Sequence, residues 1–331
     1  MSTITPAATF PVAAPFNTNP PYSGTFIPAV WAAKLNVKFY AASVFGDISN
    51  TNWEGEISAM GDKVIINTAP TIAVSNYTVG AGVTYQVPTP STQELNIDKG
   101  KYFAFQINDV LEYQSKPNLL DMFSEDAAQQ MRIAIDSTVL YNTFTQADPF
   151  NKGATAGVKS GSFNMGTDAA PVALTAANVL QKILEMASIL DEQNVPESGR
   201  WLVIDPMTRT LLMQSNIAQA YFTGDATSPV RNGLIGMIDR FKVYVSNQLP
   251  KGLATAPWIS GDGSENSITS PSGVKRRAIV AGHTSAITFA SQITKMETVR
   301  NPNDFGDFIR SLKVYGYKCV APGGLVLLIA A

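Results

Sequence analysis

The chain has 331 residues, 45% of them hydrophobic, so it is long and apolar enough to bury a sizeable core. Only 15% of residues are charged and the formal net charge is -2, which excludes a global basic field that would hold nucleic acid phosphates. The single cysteine, Cys319, excludes an internal disulfide and is typical of a protein that folds in a reducing cytoplasm.

An arm is predicted at the start of the chain. Residues 1–28 are rich in Pro, Ala, Thr and Asn, a mixture that favours extended backbone and cannot form a core of its own. Two interpretations stay open: a disordered tail, or a segment that becomes ordered across a neighbouring molecule. The start lacks a basic and apolar leader, so we expect no secretory signal. Residues 29–44 carry apolar side chains at helical spacing.

Short alternating stretches follow in residues 46–101 and predict narrow strands between turns of Pro, Gly, Asn and Ser. The alternating positions are Val64/Ile66, Ile72/Val74, Val83/Tyr85/Val87 and Leu95/Ile97. The segment has few large apolar side chains, and an isolated hairpin is marginally stable in water. It therefore either packs as a sheet on its own domain or extends as a long loop over an adjacent subunit.

The clearest strand of the first half covers residues 101–107, where apolar and other side chains alternate. A long helix is predicted from Pro117 to Thr145, with Asn118 and Asp121 as candidates for its N-terminal cap. A helix rises about 1.5 Å per residue, so this one is long enough to cross a whole domain.

A less apolar segment comes next. Residues 146–174 are rich in glycine and predict a loop or a small surface flap. Thr175 is predicted to cap a second amphipathic helix that stops before Pro196. The remaining elements of this region are a strand at 200–204, a helix that begins at Asp205-Pro206, a strand at 241–245 ended by Pro250, and a polar loop at 261–273.

Two strands joined by a turn at residues 301–304 are predicted near the end of the chain. Apolar side chains lie on both faces of the second strand, as expected in a central sheet that is covered on both sides. The residues concerned are Phe308, Leu312 and Val314 on one face and Tyr315, Tyr317 and Cys319 on the other; Ile287, Phe289 and Ile293 share a face of the first strand. The fold class is α+β.

Residues suited to catalysis are few. His283 is the only histidine and is predicted to hold a turn, while Cys319 is predicted to be a small buried hydrophobe. The sequence has no glycine-rich phosphate loop and no nucleophile motif. The carboxylates that could form an acid and base pair are Glu54/Glu56 and Asp304/Asp307, which we interpret as solvated turns. We therefore predict no catalytic residue, no metal and no cofactor, and keep a carboxylate-dependent hydrolase as the least favoured hypothesis.

A local basic cluster occurs at Lys275, Arg276 and Arg277. It could contact a phosphate or an acidic partner, but a solvated strand edge is the favoured interpretation.

Four stretches, taken together and in this order, resemble the Hong Kong 97-like (HK-97-like) family of major capsid proteins of tailed bacteriophages. They cover the chain from about residue 45 to the end, and their joint order is more specific than any one of them. The stretches are 54–56 with 61–66, 95–98 with 101–109, 233–239 with 243–247, and 280–292.

The resemblance implies a division of the chain into five parts. These are an N-terminal arm (1–45), an extended β loop (46–100), a peripheral domain with a spine helix (101–145 and 291–322), a loop insertion (146–174) and an axial domain (175–290 and 323–331).

The implied function is self-assembly into homo-pentamers and homo-hexamers that form an icosahedral shell around a double-stranded DNA genome, which is bound without sequence specificity. The expected partners are a scaffolding protein, a portal and a decoration or cement protein, without a membrane. The shell would be assembled in the cytoplasm of the bacterial host and found in the virion. An encapsulin-type cellular nanocompartment is the alternative. Contacts between subunits are predicted at Trp53, Glu54, Glu56, Tyr77, Tyr85, Arg231, Arg240, Lys275 and Arg276.

Overall fold

The computed structural model describes residues 43–53, 63–68, 70, 72–80, 82, 85–88, 90–108, 119–215, 236–252, 257–266, 268, 275–301 and 305–331. Its helices are α1 (Phe45–Ile48), α2 (Leu119–Thr143), α3 (Val179–Glu192) and α4 (Pro206–Gln214). Its strands are β1 (Lys63–Thr68), β2 (Ser91–Asn96), β3 (Lys99–Asn108), β4 (Arg200–Ile204), β5 (Met237–Ile238), β6 (Phe241–Val245), β7 (Lys251–Gly252), β8 (Trp258–Ile259), β9 (Arg276–His283), β10 (Ile287–Arg300), β11 (Gly306–Cys319) and β12 (Leu325–Ala330).

The long helix α2 packs on an antiparallel sheet in the order β10-β11-β3. Ile135 and Val139 of α2 are fully buried against Phe289 and the two tyrosines Tyr315 and Tyr317 of this sheet. The rings of Phe289 and Tyr315 stack with their centroids 5.8 Å apart. Aromatic contact therefore fixes the helix on the strands that follow it almost two hundred residues later.

A larger mixed sheet forms the second body of the fold, in the order β5-β6-β4-β9-β7-β8, with β12 paired to β9. β4 and β6 are parallel, and α4 lies between them in the chain. β9 holds the sheet together because β12 occupies one of its edges, while β4 and β7 share the other. The apolar run of β12 is buried along its whole length, as expected of a strand covered on both faces.

Each face of this larger sheet has its own core. On one face, α3 and α4 bury Ile183, Met186 and Leu212 against the strands. On the other face, the C-terminal end of α2 brings in Tyr141 and Phe144. Both cores are continuous with β12, so the last described strand belongs to the middle of the molecule.

A two-stranded antiparallel ribbon, β1 with β2, carries the loop at residues 69–90. Ile66 and Leu95 are buried against Ala290 of β10, and this contact fixes the base of the ribbon. The ribbon then continues directly into β3, which pairs with β11.

Many elements were predicted correctly. β4 has the predicted bounds, and α4 begins where Asp205 was expected to cap it: the Asp205 carboxylate accepts a hydrogen bond from the Thr208 amide. The two long C-terminal strands and the strand at 101–107 are also confirmed. Ala29–Ala42 of the predicted first helix and the residues before Leu119 lie outside the described part of the chain.

Four predictions about the secondary structure and packing were wrong. The stretches at Ile72/Val74 and Tyr85/Val87 are not strands, because their backbones have no ladder partner among the described residues. Thr175 does not cap α3, which begins at Val179 after a turn closed by the Thr175 carbonyl.

The third error is partial: residues 146–174 form a loop, as one of the two predicted alternatives had it, but they are not a surface flap. Asn151 is fully buried there, and its side-chain amide donates hydrogen bonds to the Gly323 and Leu325 carbonyls. Met165 is also fully buried. Val172 and Ile329 are joined by a backbone hydrogen bond, so this segment is part of the core around β12.

The fourth error concerns β11. It is central in its sheet, as predicted, and the face with Tyr315 and Tyr317 is covered, but the opposite face is only partly covered. Phe308 and Leu312 on the opposite face stay 37% and 41% exposed. α2 covers one side of the sheet. On the other side, the base of the β1–β2 ribbon covers Ala290 and Gly316 but leaves Phe308 and Leu312 exposed.

Candidate assembly surfaces

The loop between β1 and β2 lies in a long stretch without charge. From Val64 to Gln93 the sequence has no Asp, Glu, Lys, Arg or His, and the stretch is bounded by Lys63 and Glu94. A surface segment normally carries charges that keep it solvated. Our sequence analysis identified the loop but missed this signal, which can be read from the sequence without a structure.

Apolar side chains of this loop point away from the rest of the subunit. The exposed fractions of these side chains run from 65% to 98%. An exposed apolar cluster of this kind usually marks an interaction site. The residues concerned are Ile72, Val74, Tyr77, Val79, Tyr85 and Val87. Two predicted contact residues, Tyr77 and Tyr85, are among them.

The two limbs of the loop are held together by one side chain. The amide of Gln86 donates to the Ala73 carbonyl and accepts from the Ala73 amide, both at 3.2 Å. One donated and one accepted hydrogen bond is also the pattern of a hydrogen-bonded pair in an antiparallel strand ladder. The Gln86 side chain therefore links the two limbs where their backbones form no ladder. The limbs therefore stay paired up to this point, with Tyr85 next to the clamp and a turn at Val79 and Gly80 beyond it.

At the base of the ribbon, Trp53 packs against the small core formed by Ile66, Leu95 and Ala290. It is half-buried, so part of its ring stays available to a neighbour. Trp53 therefore has a structural role within the subunit that the prediction of a contact residue did not include.

A charged cavity of about 560 Å³ lies beside the β5-β6 hairpin. Arg240 contacts Asp191 and Glu197, each with an N–O distance of 3.1 Å, and Arg200 donates to Asp191 over 2.6 Å. The side chain of Arg200 is fully buried, whereas that of Arg240 is 37% exposed. Arg240 is thus already paired within the subunit while remaining open to solvent.

The basic cluster at the start of β9 is divided between surface and interior. Lys275 is exposed, but Arg276 is 3% exposed, lies 5.3 Å over the Trp258 ring and donates to the Asp168 carbonyl. Arg277 donates to the Ala331 carbonyl. The interpretation as a solvated edge is wrong for Arg276, because its guanidinium group is buried and makes its contacts inside the subunit.

Where the β1–β2 ribbon does not cover it, the second face of the β10-β11-β3 sheet is apolar around one ion pair among the described side chains. Tyr102 lies opposite Leu312, and Phe308 lies opposite Val299. Between these rows, Arg310 and the carboxylate of Glu297 pair at 2.7 Å. This face is a second exposed apolar surface of the subunit.

The groups with reactive chemistry have structural roles. His283 lies between the Ser198 carbonyl and Ser285, at 2.8 and 2.7 Å. Cys319 is buried, and burial raises the pKa of its thiol to about 11, which keeps the unreactive protonated form. Among the described residues, no group of three or more His, Cys, Asp or Glu side chains could hold a metal ion.

Four residues that the sequence analysis named, Glu54, Glu56, Arg231 and Asp304, lie outside the described part of the chain. Asp307, the other half of a proposed acid pair, forms an ion pair with Arg300 at 3.3 Å. Within the described ranges, no helix is both long and apolar enough to span a membrane.

Three solved structures with similar folds come from phages. The chain superposes on a structure from Mycobacterium phage Che8 with a TM-score of 0.69 and 24% identity, covering 92% of this chain and 97% of that one. The capsid of cyanophage P-SCSP1u gives a TM-score of 0.69 at 19% identity, with 92% and 93% coverage. The mature capsid of bacteriophage PhiM1 gives 0.65 at 13% identity, with 91% of each chain covered. At these identities the likeness shows the fold, which is of the Hong Kong 97-like kind.

A search of curated proteins found no match. A family model described as "Phage capsid protein" matches residues 91–328, which is more than two thirds of the chain. The match begins at β2, includes α2 and the β10-β11-β3 sheet, and ends within β12 of the larger sheet. The chain therefore belongs to the phage capsid protein family, and it is a major capsid protein, a subunit of a phage shell.

Proposed function

We propose that copies of this chain assemble into homo-pentamers and homo-hexamers, and that these close into an icosahedral shell around double-stranded DNA. The single observation that carries this proposal is the uncharged β1–β2 loop with its exposed apolar side chains. Fully burying a Val or Ile side chain contributes about 1.5–3 kcal/mol, and the loop cannot gain this on its own subunit. A neighbouring copy supplies the missing surface.

Contacts of this kind are heterologous, because the loop of one copy meets a different surface on the next, and such contacts close into rings. Obligate interfaces commonly bury about 2,000 to 5,000 Å². Ordering of the loop and loss of rigid-body freedom offset much of the gain, so a single contact stays weak enough to correct errors. The stability of the shell then comes from the number of contacts.

The division into an arm (1–45), an extended loop (46–100), a peripheral domain (101–145 and 291–322) and an axial domain (175–290 and 323–331) is part of the proposal. The two sheets support it, because α2 packs on the β10-β11-β3 sheet and β12 pairs with β9 of the larger one. The insertion at 146–174 belongs with the axial domain, since Asn151 and Val172 bind it to β12 and the turn before it.

We propose contacts between subunits at Trp53, Glu54, Glu56, Tyr77, Tyr85, Arg231, Arg240 and Lys275. Tyr77, Tyr85 and Lys275 are exposed, which supports a role between subunits. Arg276 is dropped, because its guanidinium is buried against Trp258 of the same subunit.

The remaining partners are proposals of the same kind: a scaffolding protein, a portal, a decoration or cement protein, and DNA held without sequence specificity. Assembly would take place in the host cytoplasm, and the chain would have no catalytic activity. The net charge of -2 supports DNA that is confined by the shell and not held by bulk attraction. The match to the phage capsid family disfavours a cellular nanocompartment.

Deletion of the loop tests the function. Removing residues 70–90 and joining the strands by a short turn keeps the pairing of β1 with β2, which ends at Thr68 and Ser91. We expect a soluble, folded subunit that forms no shells in negative-stain microscopy. Normal shells from this deletion would refute the role of the loop.

A point substitution gives a sharper comparison. Val74 is 98% exposed, so Val74→Glu costs the free subunit nothing, but it buries a charge when the loop docks. We expect a loss of shell yield of about tenfold or more. Val158→Glu, at an exposed valine outside the loop, is the matched control and should assemble normally. Equal yields from both variants would count against burial of the loop.

A further inference from the structure

A small cavity of about 270 Å³ lies between the insertion, the end of α2 and β12. Its floor is formed by buried apolar side chains, and its rim carries one cation and one carboxylate. The floor residues are Phe144, Trp258, Leu327 and Ile329, and the rim residues are Lys152 and Asp168. The volume lies below the range of about 300–1,000 Å³ that is usual for small-molecule pockets, and it suits a single large side chain.

The floor is rigid. The rings of Phe144 and Trp258 meet at a centroid distance of 5.0 Å, and Arg276 stacks on Trp258 at 5.3 Å. The indole N–H of Trp258 donates to Oδ1 of Asp168 over 3.0 Å. The Tyr141 hydroxyl donates to the Trp258 carbonyl and accepts from the Ile268 amide. The cavity is therefore formed before any partner arrives.

The rim offers polar groups to which a guest could form hydrogen bonds. Asp168 uses Oδ1 for Trp258 and its backbone carbonyl for Arg276, and its Oδ2 makes no hydrogen bond with the described part of the chain. Lys152 donates to the Thr145 carbonyl over 2.7 Å and so stays at the opening. A guest with an apolar ring and a hydroxyl at its far end matches this combination of floor and rim, and tyrosine is the side chain with that structure.

The β1–β2 loop supplies such a side chain on a neighbouring copy. Tyr85 is 89% exposed and lies next to Gln86, whose amide is clamped to Ala73, so its backbone loses little freedom on docking. Tyr77 lies beyond the clamp, toward the turn. From Ser91 back to Tyr85 an extended limb reaches about 20 Å, so Tyr85 lies well away from the base of the ribbon.

We propose that Tyr85 of one subunit inserts into this cavity on an adjacent copy of the chain, with its hydroxyl donating to Asp168. This inference rests on the proposed docking of the loop and names the surface that receives it. The cavity then acts as a socket that sets the register between neighbouring subunits, because its volume suits a single large side chain.

Paired cysteines test the contact. Thr145 is exposed and lines the cavity, and the only native cysteine, Cys319, is buried and does not compete. In shells of the full chain with Tyr85→Cys and Thr145→Cys, mild oxidation should link most subunits into covalent ladders on a non-reducing gel. Thr210→Cys, at an exposed threonine that does not line the cavity, replaces Thr145→Cys in the control and should give at least about tenfold less product, since disulfides need Cα atoms within about 7 Å.

Tyr77→Cys with Thr145→Cys separates the two loop tyrosines and should also give little product. Microscopy of every sample distinguishes the failure of each proposal. Absence of shells from the native chain would refute the proposed function. Native-like shells without Tyr85 ladders, or with ladders from Tyr77 instead, would overturn the socket while leaving that function intact.

Discussion

At the scale of single residues, one buried carboxyl joins the start of the described chain to the spine helix. Oδ1 of Asp136 on α2 accepts hydrogen bonds from the amides of Val44 and Phe45, at 3.1 and 2.8 Å. The side chain is fully buried, and burial raises the pKa of Asp136 from 3.8 to about 6 even though the two amides act in the opposite direction. The folded subunit therefore holds a proton here that the unfolded chain releases.

The sign of this effect gives a pH prediction. Because the folded pKa is raised, the contribution of Asp136 to stability is fully present below about pH 4 and is lost as the pH rises through 6. The change is on the order of 2–3 kcal/mol. Urea unfolding of the unassembled subunit between pH 4.5 and 7.5 should show this slope in the native chain and a flatter one in Asp136→Asn. The exposed Asp98→Asn serves as the control, and an unchanged slope in Asp136→Asn would contradict the assignment.

Two glycines give a matched pair for backbone strain. Gly166 has a φ of +76°, and a Cβ there would lie 2.3 Å from the Ile329 carbonyl oxygen. Gly153 has a φ of +88° with nothing within 4 Å of that position. We expect Gly153→Ala to cost about 1 kcal/mol through its left-handed backbone alone, and Gly166→Ala to cost about 2–4 kcal/mol. Thermal unfolding of the subunits measures both, and equal costs would show that the contact with Ile329 relaxes freely.

At the scale of elements, the insertion at 146–174 depends on Asn151. Its amide donates to the Gly323 and Leu325 carbonyls and its oxygen accepts from Gln193, so three segments meet at one buried side chain. Asn151→Ala leaves two buried carbonyls without these donors and should destabilise the subunit by about 2–4 kcal/mol in urea unfolding. Asn67→Ala, at an exposed position of β1, should change the free energy of unfolding by no more than about 0.5 kcal/mol. A loss from Asn67→Ala as large as that from Asn151→Ala would contradict the role of Asn151.

Elements with a local signal were the ones the sequence predicted well. Asp205 followed by Pro206 marks the start of α4 because capping and a fixed φ act over a few residues. The short apolar run of β4 and the alternation over β10 and β11 were likewise sufficient. The limbs at Ile72/Val74 and Tyr85/Val87 alternate too, but a strand also needs a partner edge, and alternation does not report one.

The insertion and the socket could not be predicted for a different reason. Residues 146–174 look polar and glycine-rich, yet they are held by carbonyls of the segment 323–329, more than 150 residues away. The cavity likewise combines Phe144, Asp168, Trp258 and Leu327, which no sequence spacing relates. By contrast, the lack of charge between Val64 and Gln93 was visible in the sequence and only needed to be counted.

At the scale of the whole molecule, the absence of charge in the loop sets how the shell responds to salt. Ionic screening weakens charged contacts and leaves apolar burial nearly unchanged. The yield of intact shells, measured by light scattering and microscopy, should therefore differ by less than about twofold between low salt and roughly 1 M NaCl. Dissolution of shells at high salt would indicate that ion pairs, and not the loop, hold the subunits together.

The same stretch determines which proteases can report on assembly. Trypsin cleaves after Lys or Arg, and between Lys63 and Lys99 the sequence offers it no bond to cut. Chymotrypsin, which prefers aromatic residues, finds Tyr77 and Tyr85 in the open. Chymotrypsin should thus cleave a free subunit within this hairpin, and trypsin should not. A completed particle should hide both tyrosines from chymotrypsin. A digestion time course would therefore show when the hairpin of each copy becomes buried in the shell.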